Sequence, residues 1–430
     1  MKRIVIASLI LLGAVSLAGQ MPKARTGVFA LTNATLETVS QGTQKGTLLI
    51  RDGKIAALGA NVVVPDGAEV IDCTGKTIYP GMIDGGSRVG LQEISAVDVT
   101  VDYAEIGDVV PHMQALTAVN PNSVQIPVTR VAGVTTVLAV PQGGVFPGTA
   151  ALIHLFGYTP DQMYAGFSGV VMNFPSTALS GRFRNMSEEE QKKETEKRLK
   201  KLNETWEKAI AYARIDSMHQ AGKGAAPAYY PEMQALMPVV RGTATLLIEV
   251  NTAEDILSAI QWVKDRRVKA VFTGVAEGWR VADKLAAANI PVITGPMLAM
   301  PTRDNDRYDR PYANPGLMQK AGVTVALRTN GAENTRNLPF NAGFAAAYGM
   351  GREQALRAVT LVPAQILGVA DQLGSLEVGK RATLFVADGD PFETRTQIIQ
   401  VFIDGYQIPM ETRQTQLYDE FLERTPGVKK

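Results

Sequence analysis

Along residues 26–77, apolar positions fall in short runs cut by tight turns, the pattern of a small β domain. Residues 46–59 hold two apolar runs around Asp52-Gly53, a dipeptide that predicts a β-hairpin. The style returns near the other end of the chain. Residues 381–387 are strand-like, Asp388-Gly389-Asp390-Pro391 breaks the run, and residues 400–405 supply another strand and turn. Two β segments bracketing a long middle predict one composite β-sandwich domain, built from 26–77 and 371–410, with residues 411–430 as a tail.

The middle changes period. Seven apolar runs, at 77–84, 134–140, 169–173, 245–250, 270–273, 291–294 and 324–327, read as strands. Several are followed by helical windows, at 253–264, 277–288, 311–320 and 352–367, with Gly351 and Gly368 at helix boundaries. Strand–helix alternation of this length is the mark of a parallel sheet. Seven strands of a possible eight favour a (β/α)₈ TIM-like barrel over residues 78–370. One charged stretch interrupts the rhythm at about 187–220. It opens on a capping box at Ser187 and Glu190, and its interleaved Glu and Lys predict a solvated inserted helix rather than a nucleic-acid surface.

Composition narrows the function classes. With 430 residues, 46% of them hydrophobic, the chain can bury one large core and a satellite domain. A formal net charge of +1 supplies no field for nucleic acid or an anionic membrane. At the start, Lys2 and Arg3 precede an apolar run over residues 4–12 and small residues near Ser16 and Ala18. That order predicts a cleaved export leader over 1–19, and so a periplasmic or secreted protein. A membrane anchor needs ~20 apolar residues, more than this run offers. Cys73 is the only cysteine, so no intrachain disulfide forms, and its apolar neighbours make it a packing residue.

The most informative segment is Tyr79-Pro80-Gly81-Met82-Ile83-Asp84-Gly85-Gly86-Ser87-Arg88-Val89. It resembles the first barrel strand of the amidohydrolase superfamily, in its imidazolonepropionase-like and dihydroorotase-like branch. Residues 361–368, 374–382 and 401–405 are similar to the carboxy-terminal signature of that family. The resemblance implies a barrel flanked by a composite β domain and descent from metal-dependent hydrolases of carbon–nitrogen, non-peptide bonds. It also implies a divalent metal held by His-x-His after strand 1, a carboxylated Lys or Glu on strand 4, and His on strands 5 and 6. An Asp on strand 8 would serve as general base. At the matching positions this chain carries Gly86 and Arg88, Glu249, Thr273 and Asn330. Glycine has no donor, a guanidinium offers a cation no lone pair, and an Asn amide accepts no proton from water near neutral pH. On the resemblance, then, no catalytic or metal-binding residue is assigned.

The only histidines are His112, His154 and His219, and none is spaced to share a metal with another. His112 and His219 read as solvated or capping residues and His154 as a buried one. An oxygen-only site of Asp84, Glu249 and Asn330 is the remaining route to a bound Mg²⁺ or Ca²⁺. A sharper expectation pairs Arg88 with Glu249 in the volume of the missing metal. Arg88, Glu249, Arg328 and Asn330 are the candidate ligand-binding residues. Arg280, Arg303, Arg307 and Arg328 decorate the same rim, which admits a pocket for a carboxylate or phosphate ligand, but the loop 301–310 holds enough acid to neutralise its own arginines, and self-paired loop charge is the favoured expectation. The glycine-rich turn 142–148 lacks the features of a phosphate loop.

Two function classes stand. One is a non-catalytic subunit or ligand-binding homologue without a cofactor. It would form a homo-oligomer, or a hetero-oligomer with an active amidohydrolase homologue, and take a small-molecule ligand. The other is a hydrolase of bonds such as those of cyclic amides, with a divergent Zn²⁺ or Mg²⁺ site. Neither calls for nucleic acid or a membrane anchor.

Overall fold

A computed structural model describes residues 23–176 and 187–424. The expected leader at 1–19 and the last residues of the tail lie outside them. Among the described residues, no helix is long and apolar enough to cross a membrane.

The first five strands are β1 (Phe29–Glu37), β2 (Thr43–Arg51), β3 (Lys54–Gly59), β4 (Glu69–Asp72) and β5 (Thr77–Pro80). The barrel follows, with β6 (Met82–Ser87), β7 (Val134–Ala139), β8 (Gly148–His154), β9 (Tyr164–Asn173), β10 (Thr245–Val250), β11 (Ala270–Gly274), β12 (Val292–Thr294) and β13 (Val325–Leu327). β14 (Leu384–Ala387), β15 (Ile398–Ile403) and β16 (Tyr406–Ile408) return to the first domain. Its sheet runs β16-β15-β14-β5-β1-β2-β3, with β4 beside β1. The antiparallel β5–β14 pair, with Tyr79 opposite Phe385, is where the two ends of the chain join. Asp52 and Gly53 both take positive φ, 53° and 74°, as a two-residue hairpin turn between β2 and β3 requires.

The run at 77–84, expected as one strand, is divided between the two sheets. Gly81 donates to Thr383 of the terminal sheet, and Met82 donates to Gly133 of the barrel. A Cβ at Gly81 would lie 2.1 Å from Oγ1 of Thr135, so only glycine lets the chain pass at this point.

The barrel sheet runs in chain order from β6 to β13. Two bonds draw its ends together: Asn330 N–H donates to the Gly86 carbonyl and Arg88 N–H to that of Gly331, both at 2.9 Å. The interior is a filled core. Ile83, Leu138, Leu152, Val171, Leu247, Val271, Ile293 and Ala326 contribute one buried side chain from each strand.

The eighth strand, absent from the sequence expectation, is β8, and it runs antiparallel to both β7 and β9. The chain reverses between β7 and β8 through the glycine-rich turn, without a crossover helix. Such a connection suits only an antiparallel neighbour. A Cβ on Gly144 would come within 2.3 Å of the Asp108 backbone, and Asn173 Nδ2 donates to the Gly144 carbonyl at 2.8 Å. Gly144 serves close packing, whereas Gly143 supplies a positive φ of 129°.

The inserted helix, Glu188–Gln220, has its capping box in place at Ser187 and Glu190. It is not a solvated rod, however. Leu202, Trp206, Ala209 and Ala213 are buried at helical spacing, and Trp206 meets Trp262 edge-on with ring centres 5.1 Å apart. Charged i,i+4 pairs such as Lys193–Glu189 occupy the outer face. Trp206→Ala is expected to cost about 3–5 kcal/mol of stability, read from the urea midpoint. An unchanged midpoint would return the helix to solvent.

Candidate functional site

Strand parity brings the site together. In β10, Leu247 faces the barrel interior, so Glu249, two residues on, faces the mouth at the carboxyl end of the strand. Thr273 stands in the same relation to Val271, and Arg328 to Ala326. These three meet. Arg328 donates Nη1 to Oε2 and Nη2 to Oε1 of Glu249, each at 2.7 Å. Thr273 Oγ1 adds a bond to Oε2 at 2.6 Å, and Asn251 Nδ2 one to Oε1 at 3.2 Å. Burial pushes the Glu249 carboxyl up, but Arg328 and these donors outweigh it and hold the group below the usual range. The Arg328 side chain is only 3% exposed, against 26% for Glu249. Its Nε donates to the Gly295 carbonyl at 3.3 Å.

This corrects the expected Arg88–Glu249 pair: the partner is Arg328. Arg88 lies beyond the end of β6 and points elsewhere. Its Nη2 donates to the Asn330 carbonyl at 3.2 Å, and its guanidinium stands 5.0 Å from the Tyr103 ring centre. Gly86 now has a defined role, because a Cβ there would meet Arg328 Cδ at 3.0 Å. The arginine stem packs against the backbone where the resemblance would place a histidine.

Asp84 is fully buried and saturated. It accepts from Gly86 N–H at 2.9 Å and from both N–H and hydroxyl of Thr329. Burial raises its pKa to about 6 against those bonds. Asn330 takes the left-handed conformation, φ 52°, which Asn tolerates better than most residues, and its Oδ1 accepts from Gln142 at 3.4 Å. The expected oxygen-ligand set of Asp84, Glu249 and Asn330 therefore does not form: each member's oxygen has a protein donor. Among the described residues, no group of three or more His, Cys, Asp or Glu side chains is placed to hold a metal. A divalent metal does not fit these residues, since the Arg328 cation already holds the Glu249 carboxylate.

His154 is buried, 3.3 Å from Thr136 Oγ1 and 3.7 Å from an Asp404 oxygen, at the junction with the terminal sheet. Burial lowers its pKa, against the pull of Asp404. His219 Nδ1 lies 3.2 Å from the Gly224 carbonyl at the end of the inserted helix.

The rim arginines are only partly neutralised within their loop. Arg307 pairs with Asp309 at 2.7 Å, but Arg303 reaches out to buried Glu277 at 2.5 and 2.6 Å, and Arg280 pairs with Asp306. These pairs tie the loop after β12 to the segment after β11. Between them and the barrel mouth lies a cavity of about 170 Å³, walled in part by Glu249, Asn251, Arg328 and Asn330. Trp279 and Arg310 also line it. Sequence reasoning counted Arg310 among the arginines neutralised within the loop 301–310, and it passed over Trp279, although Trp279 is one of three tryptophans and directly precedes a rim arginine.

The amidohydrolase family profile matches residues 129–408. An amidohydrolase of Hapsidospora irregularis, tasK, is 23% identical over 398 residues, covering 84% of this chain and 39% of the relative. An imidazolonepropionase of Mesorhizobium japonicum is 32% identical over 117 residues, covering 22% of this chain and 28% of that one. The chain thus spans well under two thirds of the length of these curated relatives. The crystal structure of an amidohydrolase from Thermotoga maritima MSB8 superposes with a TM-score of 0.79 at 26% identity, covering 89% of this chain and 99% of that one.

Two outcomes are expected. Arg328→Ala leaves Glu249 uncompensated and should cost about 3–5 kcal/mol in denaturant unfolding. Arg88→Ala removes one hydrogen bond and a ring contact and should cost about 1 kcal/mol. The reverse ranking would restore the Arg88 pairing. The second concerns pH. Because burial holds the Asp84 pKa at about 6, above its unfolded value of 3.8, the folded state binds that proton more tightly. Its contribution to stability is therefore largest below the unfolded value and lost as pH rises through about 6. Asp84→Asn should flatten stability in the pH window between 3.8 and about 6. An unaltered slope in that window would contradict the assignment.

Proposed function

The chain belongs to the amidohydrolase family, and from that premise we propose that it is a ligand-binding member whose barrel mouth no longer performs metal-assisted hydrolysis. The observation that carries this is the bidentate Arg328–Glu249 pair seated against Gly86. In the family the strand ends hold a cation that activates water. Here a permanent cation, Arg328 directly after β13, is bonded to Glu249 of β10, the fifth barrel strand. A guanidinium supplies positive charge and hydrogen bonds, but it neither ligates a water nor lowers its pKa. A second, diffusible cation at this point would face Arg328 and find the Glu249 oxygens already taken.

Glu249 is also unfit as a general base, because a carboxylate whose pKa is held down by an arginine is a weak proton acceptor near neutral pH. Asn330 offers no replacement. The reading extends to self-association or pairing with an active homologue, and to export directed by residues 1–19.

The test is metal content. Purified without chelators or a histidine tag, incubated with Zn²⁺ or Mg²⁺ and then dialysed, the protein is expected to retain less than a stoichiometric ion. It should also leave cyclic imides and N-acyl amino acids intact. One tightly held ion per chain, lost in Glu249→Gln and accompanied by turnover, would replace this proposal with a working carbon–nitrogen hydrolase.

A further inference from the structure

The charges around the mouth cavity do not balance, and the imbalance has an address. Three acids stand in or behind its wall, and each has an arginine partner: Glu249 has Arg328, Asp306 has Arg280, and Glu277 has Arg303. A fourth arginine, Arg310, lines the cavity and forms no ion pair with any described residue. Its guanidinium stands 4.5 Å from the ring centre of Trp279, a ring that the Arg280 guanidinium also approaches to 4.1 Å; the cation–π contact holds Arg310 and leaves its N–H donors free. Arg310 opens the eleven-residue helix Arg310–Lys320, whose first turn adds partial positive charge. Arg88, also without an acid partner, contributes a further charge near Asn330. The rest of the wall is largely apolar, with Met297, Met300, Ala299 and Pro296 among its residues.

We infer that this cavity binds a small organic carboxylate, with the anionic group on Arg310 and an apolar body against Met297, Met300 and Pro296. A guanidinium fixed by a ring offers a planar pair of donors matched to a carboxylate. The neighbouring acids do not repel the ligand strongly, because each is already neutralised. The volume, about 170 Å³, suits a compact acid rather than a peptide. The inference rests on the reading that the barrel mouth is a binding site and not a metal centre.

Binding is measured by isothermal titration of the full chain with acetate, benzoate and cyclohexanecarboxylate, each beside its neutral alcohol. Benzoate and cyclohexanecarboxylate are expected to bind and their alcohols to bind much more weakly. Arg310→Gln should weaken the acids at least about tenfold, and Arg310→Lys, which keeps the charge without the planar fork, should fall between. Thermal melts of both variants establish that they fold. Equal binding of acid and alcohol, unchanged affinity in folded Arg310→Gln, or no binding of any carboxylate would each overturn the inference. Metal content reports separately on the premise. A metal-free protein that ignores carboxylates sinks only the ligand assignment, whereas a stoichiometric metal with Arg310-dependent binding sinks only the premise.

Discussion

A guanidinium 3% exposed at the mouth of a barrel must have its charge answered inside the protein, because burying an unpaired ion costs several kcal/mol. Arg328 meets that requirement with a bidentate pair to Glu249, and much of the mouth follows from it. Gly86 carries no side chain because the arginine stem lies against it. The carbonyl of Gly295 is turned to accept from Nε. Thr273 and Asn251 complete the shell of Glu249. Beneath, Asp84 fastens Thr329 to the first strand, which fixes the backbone from which Arg328 projects. The pair need add no net stability over an apolar filling. It does make each member costly to remove alone.

The same pair sets the functional character of the site. An amidohydrolase barrel activates water by placing a divalent ion where carboxylates and imidazoles converge. A covalently attached cation supplies part of that charge and ties two strand ends together electrostatically. It offers no open coordination position, and so no route to a metal-bound nucleophile. What remains at the mouth is a small cavity lined by Arg328 and Arg310, which on the proposed reading is a setting for recognition rather than bond cleavage.

Much of the fold was legible in the chain, for physical reasons that can be named. The Asp-Gly turn and the capping box at Ser187 are local signals, and each appears where its residues predict it; the strand–helix alternation is there too, although the window expected at 352–367 is two helices, Arg352–Ala358 and Leu361–Ile366. The misses lie where local signals are silent. β8 sits in a barrel whose other strands are parallel, and only the lack of a helix-length connection betrays its direction. The break at Gly81 depends on Thr135, more than fifty residues away. The buried face of the inserted helix was masked by its many Glu and Lys, although Leu202, Trp206, Ala209 and Ala213 fall on one side. The choice of Arg88 over Arg328 has the same root. A strand end that is apolar on both faces, such as Val325-Ala326-Leu327, gives no alternation from which to read that Arg328 points inward. Glu249 was identified, but its partner required the parity of a second strand.

The central claim is an energetic coupling, so the most direct measurement is a double-mutant cycle. Arg328→Met, Glu249→Leu and the double variant are unfolded in urea beside the parent protein. If the two side chains form the pair that organises the mouth, the double variant will be less destabilised than the sum of the single ones, by about 1.5–3 kcal/mol. Additivity within about 0.5 kcal/mol would mean that Arg328 and Glu249 stand in the barrel as strangers, and the pair could not be what replaces the metal.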